Sequence, residues 1–137
     1  DERVVMQIGS STYEPKHAEW FRFESEEVIE KLYDDCSVIV CHGGAGTILN
    51  GLSRGRPLVI VPRREKFGEV TNDHQLLITE KVVAMGKGIS VDDVDTIPEA
   101  LMAARDISAM PVSADVSLVS YLSKRFESIS KEISGRR

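Results

Sequence analysis

Ser37-Val38-Ile39-Val40-Cys41-His42-Gly43-Gly44-Ala45-Gly46-Thr47-Ile48-Leu49-Asn50 reads as an apolar strand that enters a small-residue turn and continues as a helix. β-Branched residues at 38 to 40 favour a buried strand. Gly43, Gly44 and Gly46 let the backbone turn tightly, and a helix opening near Ala45 points unpaired N–H groups at whatever lies above the strand. Such a turn suits an anion, above all a phosphate. A second reading is equally open from the turn alone: the glycines could serve only close packing of helix on strand.

Outward from this stretch, the strand and helix signals alternate. Val4 to Ile8 is a compact apolar strand ending at Gly9-Ser10-Ser11, and Trp20 to Phe23 reads as a short second strand. Ser25, followed by Glu26 and Glu27, opens a helix with Val28, Ile29, Leu32 and Tyr33 at helical spacing. The helix after the glycine turn carries Ile48, Leu49 and Leu52 and stops near Gly55. Pro57 to Pro62 is an almost wholly apolar strand of the kind buried on both faces in a parallel sheet. Arg63 to Thr71 is a polar loop. Asp73 to Met85 is predicted as a helix with Leu76, Leu77, Val82 and Val83 inward, closed by Gly86 and Gly88. A strand at Ile89 to Val91 and a helix from Ile97 to about Asp106 follow. Apolar residues from Val116 to Ile133 at spacings of three and four predict a C-terminal helical tail within 107–137. The expected fold class is α/β, a Rossmann-like, mostly parallel sheet with helices on both faces, in a single domain over 1–137.

Composition bounds the function. The 137 residues carry a formal net charge of −5, which argues against a nucleic-acid surface, since backbone phosphates are bound by clustered Lys and Arg. Cys36 and Cys41 flank or end a strand, so neither a disulfide nor a metal pair is expected, and a reduced cytoplasmic setting fits. No apolar run reaches the ~18 residues of a membrane span. Asp93-Val94-Asp95 could be taken for an Asp-x-Asp metal motif, but its place at a helix start reads more simply as capping. No metal and no cofactor are expected.

The turn fails as a dinucleotide fingerprint, because Leu49 stands where a third Gly or Ala is needed, and it lacks the Gly-Lys-Ser/Thr of a P-loop. Three motifs taken together are more specific: His42-Gly43-Gly44-Ala45-Gly46-Thr47, Gly55-Arg56-Pro57 to Pro62, and Asn72-Asp73-His74-Gln75. In this order they resemble the donor-binding C-terminal half of family 28 glycosyltransferases of the GT-B fold. The resemblance runs from about Val4 to Ile89. It is closest to the small soluble subunits of split UDP-sugar glycosyltransferases, of either the dolichol-linked N-acetylglucosaminyltransferase or the bacterial exopolysaccharide glucuronosyltransferase type.

The resemblance implies that His42, Gly43, Gly44, Ala45, Gly46 and Thr47 hold the diphosphate of a UDP-sugar, and that His74 and Gln75 face the sugar. It implies a nucleoside site with Phe23 as base platform and Asn50 at the ribose, where many relatives carry a carboxylate. Gly9 and Ser10 would border the crevice. It further implies an inverting hexosyltransferase acting on a lipid-linked acceptor with a membrane-anchored, acceptor-binding partner subunit, and a chain that is cytoplasmic or held at the membrane through that partner. Relatives normally begin with a further strand–helix unit, which this sequence lacks ahead of Val4. Glu14, His17 and Glu69 have the chemistry of a general base, with nothing to place them at an acceptor. Arg63, Arg64 and Lys66 form a basic cluster on a loop bordering the crevice that either attracts a diphosphate or a lipid phosphate or is simply solvated. Two other classes remain: a non-catalytic UDP-sugar-binding module and a sugar-nucleotide epimerase-related domain.

Overall fold

The computed structural model describes residues 2–65, 68–69 and 74–107. The expected 107–137 tail lies outside the described residues apart from Ile107. The chain divides into two compact units, residues 1–35 and 36 onward.

In the first unit, β1 (Val5–Gln7) and β2 (Glu19–Phe21) pair in parallel with Met6 opposite Trp20, and α1 (Glu26–Asp35) follows. Both strands are shorter than their apolar runs. Ser25 caps α1 as expected: its hydroxyl accepts from Val28 N–H at 3.4 Å, and Glu26 and Glu27 sit where the helix dipole favours acid. Arg22 fastens the turn after β1, donating to Gly9 O at 3.2 Å, Ser11 O at 2.7 Å and Glu14 Oε1 at 3.2 Å.

The second unit is a three-stranded parallel sheet of order β3-β4-β5, from β3 (Ile39–Cys41), β4 (Leu58–Ile60) and β5 (Gly88–Ser90). Cys41 pairs with Ile60 and Ile60 with Ser90, so all three strands leave the sheet at one edge. The helices are α2 (Ala45–Ser53), α3 (His74–Ala84) and α4 (Ile97–Ala104), the last preceded by a 3-10 turn at Val94–Thr96. Strand side chains alternate between faces. Val59 accordingly packs into one cluster with Val91, Ala100 and Ala104, the α4 side. Leu58 and Ile60 point the other way, toward α2 and α3. A Cβ on Gly51 of α2 would lie 2.8 Å from Leu58 Cδ2, so the absence of a side chain there is what lets the helix approach the strand. Helices therefore cover both faces, as the α/β reading requires. Leu58, Val59 and Ile60 are fully buried, and burying each such side chain contributes roughly 1.5–3 kcal/mol.

Both α2 and α3 end in Schellman closures. Gly55 N–H bonds Leu52 O at 3.1 Å and Arg56 N–H bonds Gly51 O at 2.8 Å, and Gly86 and Lys87 repeat the pattern on Val83 and Val82. The expected inward face of α3 requires correction. Leu77 and Val83 are 47% and 40% exposed, and the buried positions are Ile78, Thr79 and Val82. The inward stripe is Gln75, Ile78, Thr79 and Val82, set by close contact of Gln75 and Thr79 with the glycine turn. Two polar residues on that stripe hide it from an apolar pattern. Asp93 caps the turn before α4, its carboxylate accepting from Asp95 N–H at 3.0 Å. Neither Cys36 nor Cys41 forms a disulfide.

Candidate functional site

The 42–47 turn sits where β3 leaves the sheet. Gly43 holds φ +89°, a conformation that L side chains rarely adopt, and a Cβ there would meet Thr79 Oγ1 at 3.3 Å and Ile60 Cγ2 at 3.4 Å. Conformation and crowding both demand glycine at this position. Gly44 is the N-cap of α2 and gives no side-chain cap. Its carbonyl accepts from Ile48 N–H at 3.0 Å, so the helix proper begins at Ala45, and the amides of Ala45, Gly46 and Thr47 have no carbonyl behind them in the helix. The first turn of α2 carries no acidic residue to offset the positive end of its dipole. Gly46 has open space where a side chain would be, with nothing within 4 Å. The result is an uncapped, uncompensated and sterically open helix N-terminus.

His42 folds back over this turn: a Cβ on Gly44 would lie 2.8 Å from His42 Nε2. Partial desolvation, and then the positive charge of Arg63, push the imidazole below its ordinary value of 6.5. The ring is thus neutral near pH 7, with one nitrogen able to donate and the other to accept. Burial pushes the neighbouring Cys41 thiol up, which keeps it protonated and unreactive.

From α3, Gln75 approaches the same turn, with its Cβ 3.6 Å from where a Gly43 Cβ would be. Its Oε1 is buried without a hydrogen-bond partner among the described residues, a costly state for an amide oxygen. Thr79 turns its hydroxyl to Gln75 O at 2.8 Å, fastening the first turn of α3. His74 is the first residue of α3, so the chain order places it beside Gln75; its side chain lies outside the described residues, as do Asn72 and Asp73.

Asn50 lies one turn further along α2. Its amide nitrogen donates to Gly46 O at 3.1 Å and its oxygen accepts from Arg54 at 2.9 Å, so both ends of the carboxamide are engaged within the helix. In the first unit Phe23 is 72% exposed and lies against Gly9, with Cζ 3.9 Å from where a Gly9 Cβ would be. Ser10, also exposed, belongs to the turn that Arg22 fastens. Glu14 is held by Arg22, and Glu69 accepts from Arg64 N–H at 2.9 Å.

The structure therefore brings His42 to Thr47 together with Gln75, and separately Phe23 with Gly9. Sequence reasoning missed Thr79, which gives no motif signal, and the influence of Arg63 on His42. The register Cys41 to Ile60 carried that second signal, because the residues following two paired parallel strands leave the same sheet edge. Among the described residues no three His, Cys, Asp or Glu side chains are grouped to hold a metal.

Comparison with known proteins adds a family and a fold. Residues 1–112 match the model of the glycosyltransferase family 28 C-terminal domain. Human UDP-N-acetylglucosamine transferase subunit ALG13 is 31% identical over 85 residues, 58% of this chain and 7% of that protein. Its mouse counterpart is 29% identical over 84 residues, with the same shares covered. The aligned region thus spans only a small part of these curated relatives. The solved glycosyltransferase of kitacinnamycin superposes with a TM-score of 0.59 at 24% identity, over 89% of this chain and 29% of its own. That likeness is one of fold.

Proposed function

The chain belongs to the glycosyltransferase family 28 C-terminal domains, and from that premise we propose that it is the donor-binding part of an inverting hexosyltransferase that uses a UDP-sugar. The observation that carries the reading is the open N-terminus of α2. Three amides without helical partners, a dipole with no acidic residue against it and a glycine with nothing over it form a cradle for a diphosphate. His42, folded over Gly44, donates to a phosphate oxygen. Gln75, with its buried and unpartnered oxygen, takes a hydroxyl of the sugar, and His74 is proposed for the same sugar from its place next to Gln75 in the chain.

For the nucleoside we propose Phe23, whose exposed ring suits a base, and Asn50, whose oxygen would exchange Arg54 for a ribose hydroxyl. Gly9 and Ser10 are proposed alongside Phe23, whose ring lies against Gly9 within the first unit. The acceptor hydroxyl attacks the anomeric carbon as the bond to the diphosphate breaks, and the leaving UDP gathers negative charge at the amides of the cradle. Preorganised donors of this kind act on the charge that grows in the transition state, and loss of one costs about 3 to 4 kcal/mol in comparable sites.

The human and mouse relatives are named as subunits of a UDP-N-acetylglucosamine transferase, which supports a partner glycosyltransferase subunit for this chain. That partner would supply the lipid-linked acceptor, the general base and any attachment to a membrane. Among the described residues no helix is long and apolar enough to cross one.

Calorimetric titration with UDP, UDP-N-acetylglucosamine and UDP-glucuronic acid tests the reading, followed by product analysis with a co-expressed partner. Binding of UDP-sugars together with partner-dependent transfer is the expected result. Binding with no transfer under any pairing would make the chain a binding module, and conversion of the sugar nucleotide without an acceptor would make it an epimerase. No binding would remove the donor reading altogether.

A further inference from the structure

We propose that Arg63 is an additional anion-binding residue of the 42–47 cradle, taking the terminal phosphate of a nucleoside diphosphate, while the adjacent Arg64 only positions its loop. The inference rests on the diphosphate reading above and deepens it. The two arginines follow β4, whose last residue pairs with Cys41 of β3. Val61 N–H extends that ladder to Cys41 O at 2.8 Å. The loop that begins at Pro62 and the turn that begins at His42 therefore leave adjacent parallel strands at the same edge.

On the other side of β4, Val91 N–H bonds Ile60 O at 2.8 Å, and Asp92 follows directly. Arg64 turns to that side. It pairs with Asp92, is only 25% exposed, and its own N–H donates to Glu69 Oε2 at 2.9 Å. Its charge is compensated and its loop is tied down.

Arg63 has the opposite circumstances. Its side chain is exposed and forms no ion pair among the described residues. Its charge acts on His42, the imidazole folded over the glycine turn. A cation at this place adds what the cradle lacks. Three amides and a neutral imidazole can satisfy the oxygens of one phosphate, but they bring no formal charge to a second. A guanidinium does so with a fork that fits phosphate oxygens.

The test is titration of the full chain with UMP, UDP, UDP-N-acetylglucosamine and UDP-glucuronic acid at low ionic strength, in the natural protein and in Arg63→Gln, Arg63→Lys and Arg64→Gln. Arg63→Gln is expected to weaken UDP and UDP-N-acetylglucosamine about tenfold and UMP less than about twofold, the size of one charge-assisted contact. Arg63→Lys should recover part of the loss, and added salt should shrink the difference. Arg64→Gln should weaken UMP and UDP alike. Equal losses for UMP and UDP in Arg63→Gln, unchanged UDP binding, or a loss confined to UDP-glucuronic acid would each overturn the assignment. So would a UDP-selective loss in Arg64→Gln. If the natural chain binds UDP and Arg63→Gln binds it equally well, only this inference falls. If the natural chain binds no UDP, the cradle reading falls first and takes Arg63 with it.

Discussion

The two units of the chain are held together by different physics. In the second, β4 lies between two strands and under helices on both faces, and Leu58, Val59, Ile60, Ile48, Val82 and Ala104 are excluded from water. In the first, no described residue is fully buried; α1 leaves Val28 exposed, and the two-stranded sheet leaves Met6 and Trp20 partly exposed. Polar contacts fasten that unit instead: Arg3 on Glu19, and Arg22 on Glu14 and two carbonyls while stacking over Trp20 at 5.7 Å. The proposed phosphate cradle is built on the packed unit and the proposed base platform on the thin one. A site that must hold growing charge needs fixed donors, and a stacking surface tolerates a looser support.

Core truncation should separate the units most. Leu58→Ala is expected to cost about 2–5 kcal/mol in urea denaturation, against no more than about 0.5 kcal/mol for Val28→Ala on the exposed face of α1. Similar losses would break the contrast.

Within the packed unit the glycines divide next. Gly43→Ala should cost about 1–3 kcal/mol, because φ +89° and the Thr79 hydroxyl both oppose a Cβ. Gly46→Ala meets nothing within 4 Å and should stabilise the helix by up to about 1 kcal/mol. The same variant should nonetheless weaken UDP binding, since the methyl group stands over the cradle. Greater stability together with unchanged UDP affinity would show that Gly46 is not kept open for a ligand.

A smaller effect concerns pH. The folded pKa of His42 is depressed below 6.5, so its contribution to stability is complete above that value and is lost as the pH falls toward the folded pKa. A phosphate against the ring favours the protonated form and opposes the depression. Protonation of His42 should therefore favour UDP as the pH falls from 8 to 6, against the opposing loss of charge as the terminal phosphate of UDP itself takes up a proton. His42→Gln supplies the reference, and an identical pH profile in that variant would remove His42 from the phosphate. The least effect is expected in the thin unit: Glu19→Gln breaks a pair that is fully exposed to water and should leave the melting temperature unchanged.

Much of this was legible in the residues. The strand–turn–helix around His42, the buried strand after Pro57 and the Ser25 cap all follow from local pattern, and the structure places them within one to two residues of expectation. The inward face of α3 was not legible. Leu76, Leu77, Val82 and Val83 draw the eye, yet the face is chosen by the fit of Gln75 and Thr79 against Gly43, a contact made more than thirty positions away in sequence. The difference between Arg63 and Arg64 was hidden for the same reason. Adjacent identical residues carry one local signal, and only Asp92, brought alongside by β5, tells them apart. For Asn50, the sequence shows a carboxamide but not that Arg54 already occupies its oxygen.

The most direct test of the cradle is an NMR titration of the full chain with UDP. The expected result is saturable shifts at the amides of Gly44, Ala45, Gly46 and Thr47, with the Gln75 side-chain amide unmoved by UDP and shifting only when a UDP-sugar is added. Unchanged amides from Gly44 to Thr47 at millimolar UDP would contradict the assignment of this turn to a diphosphate.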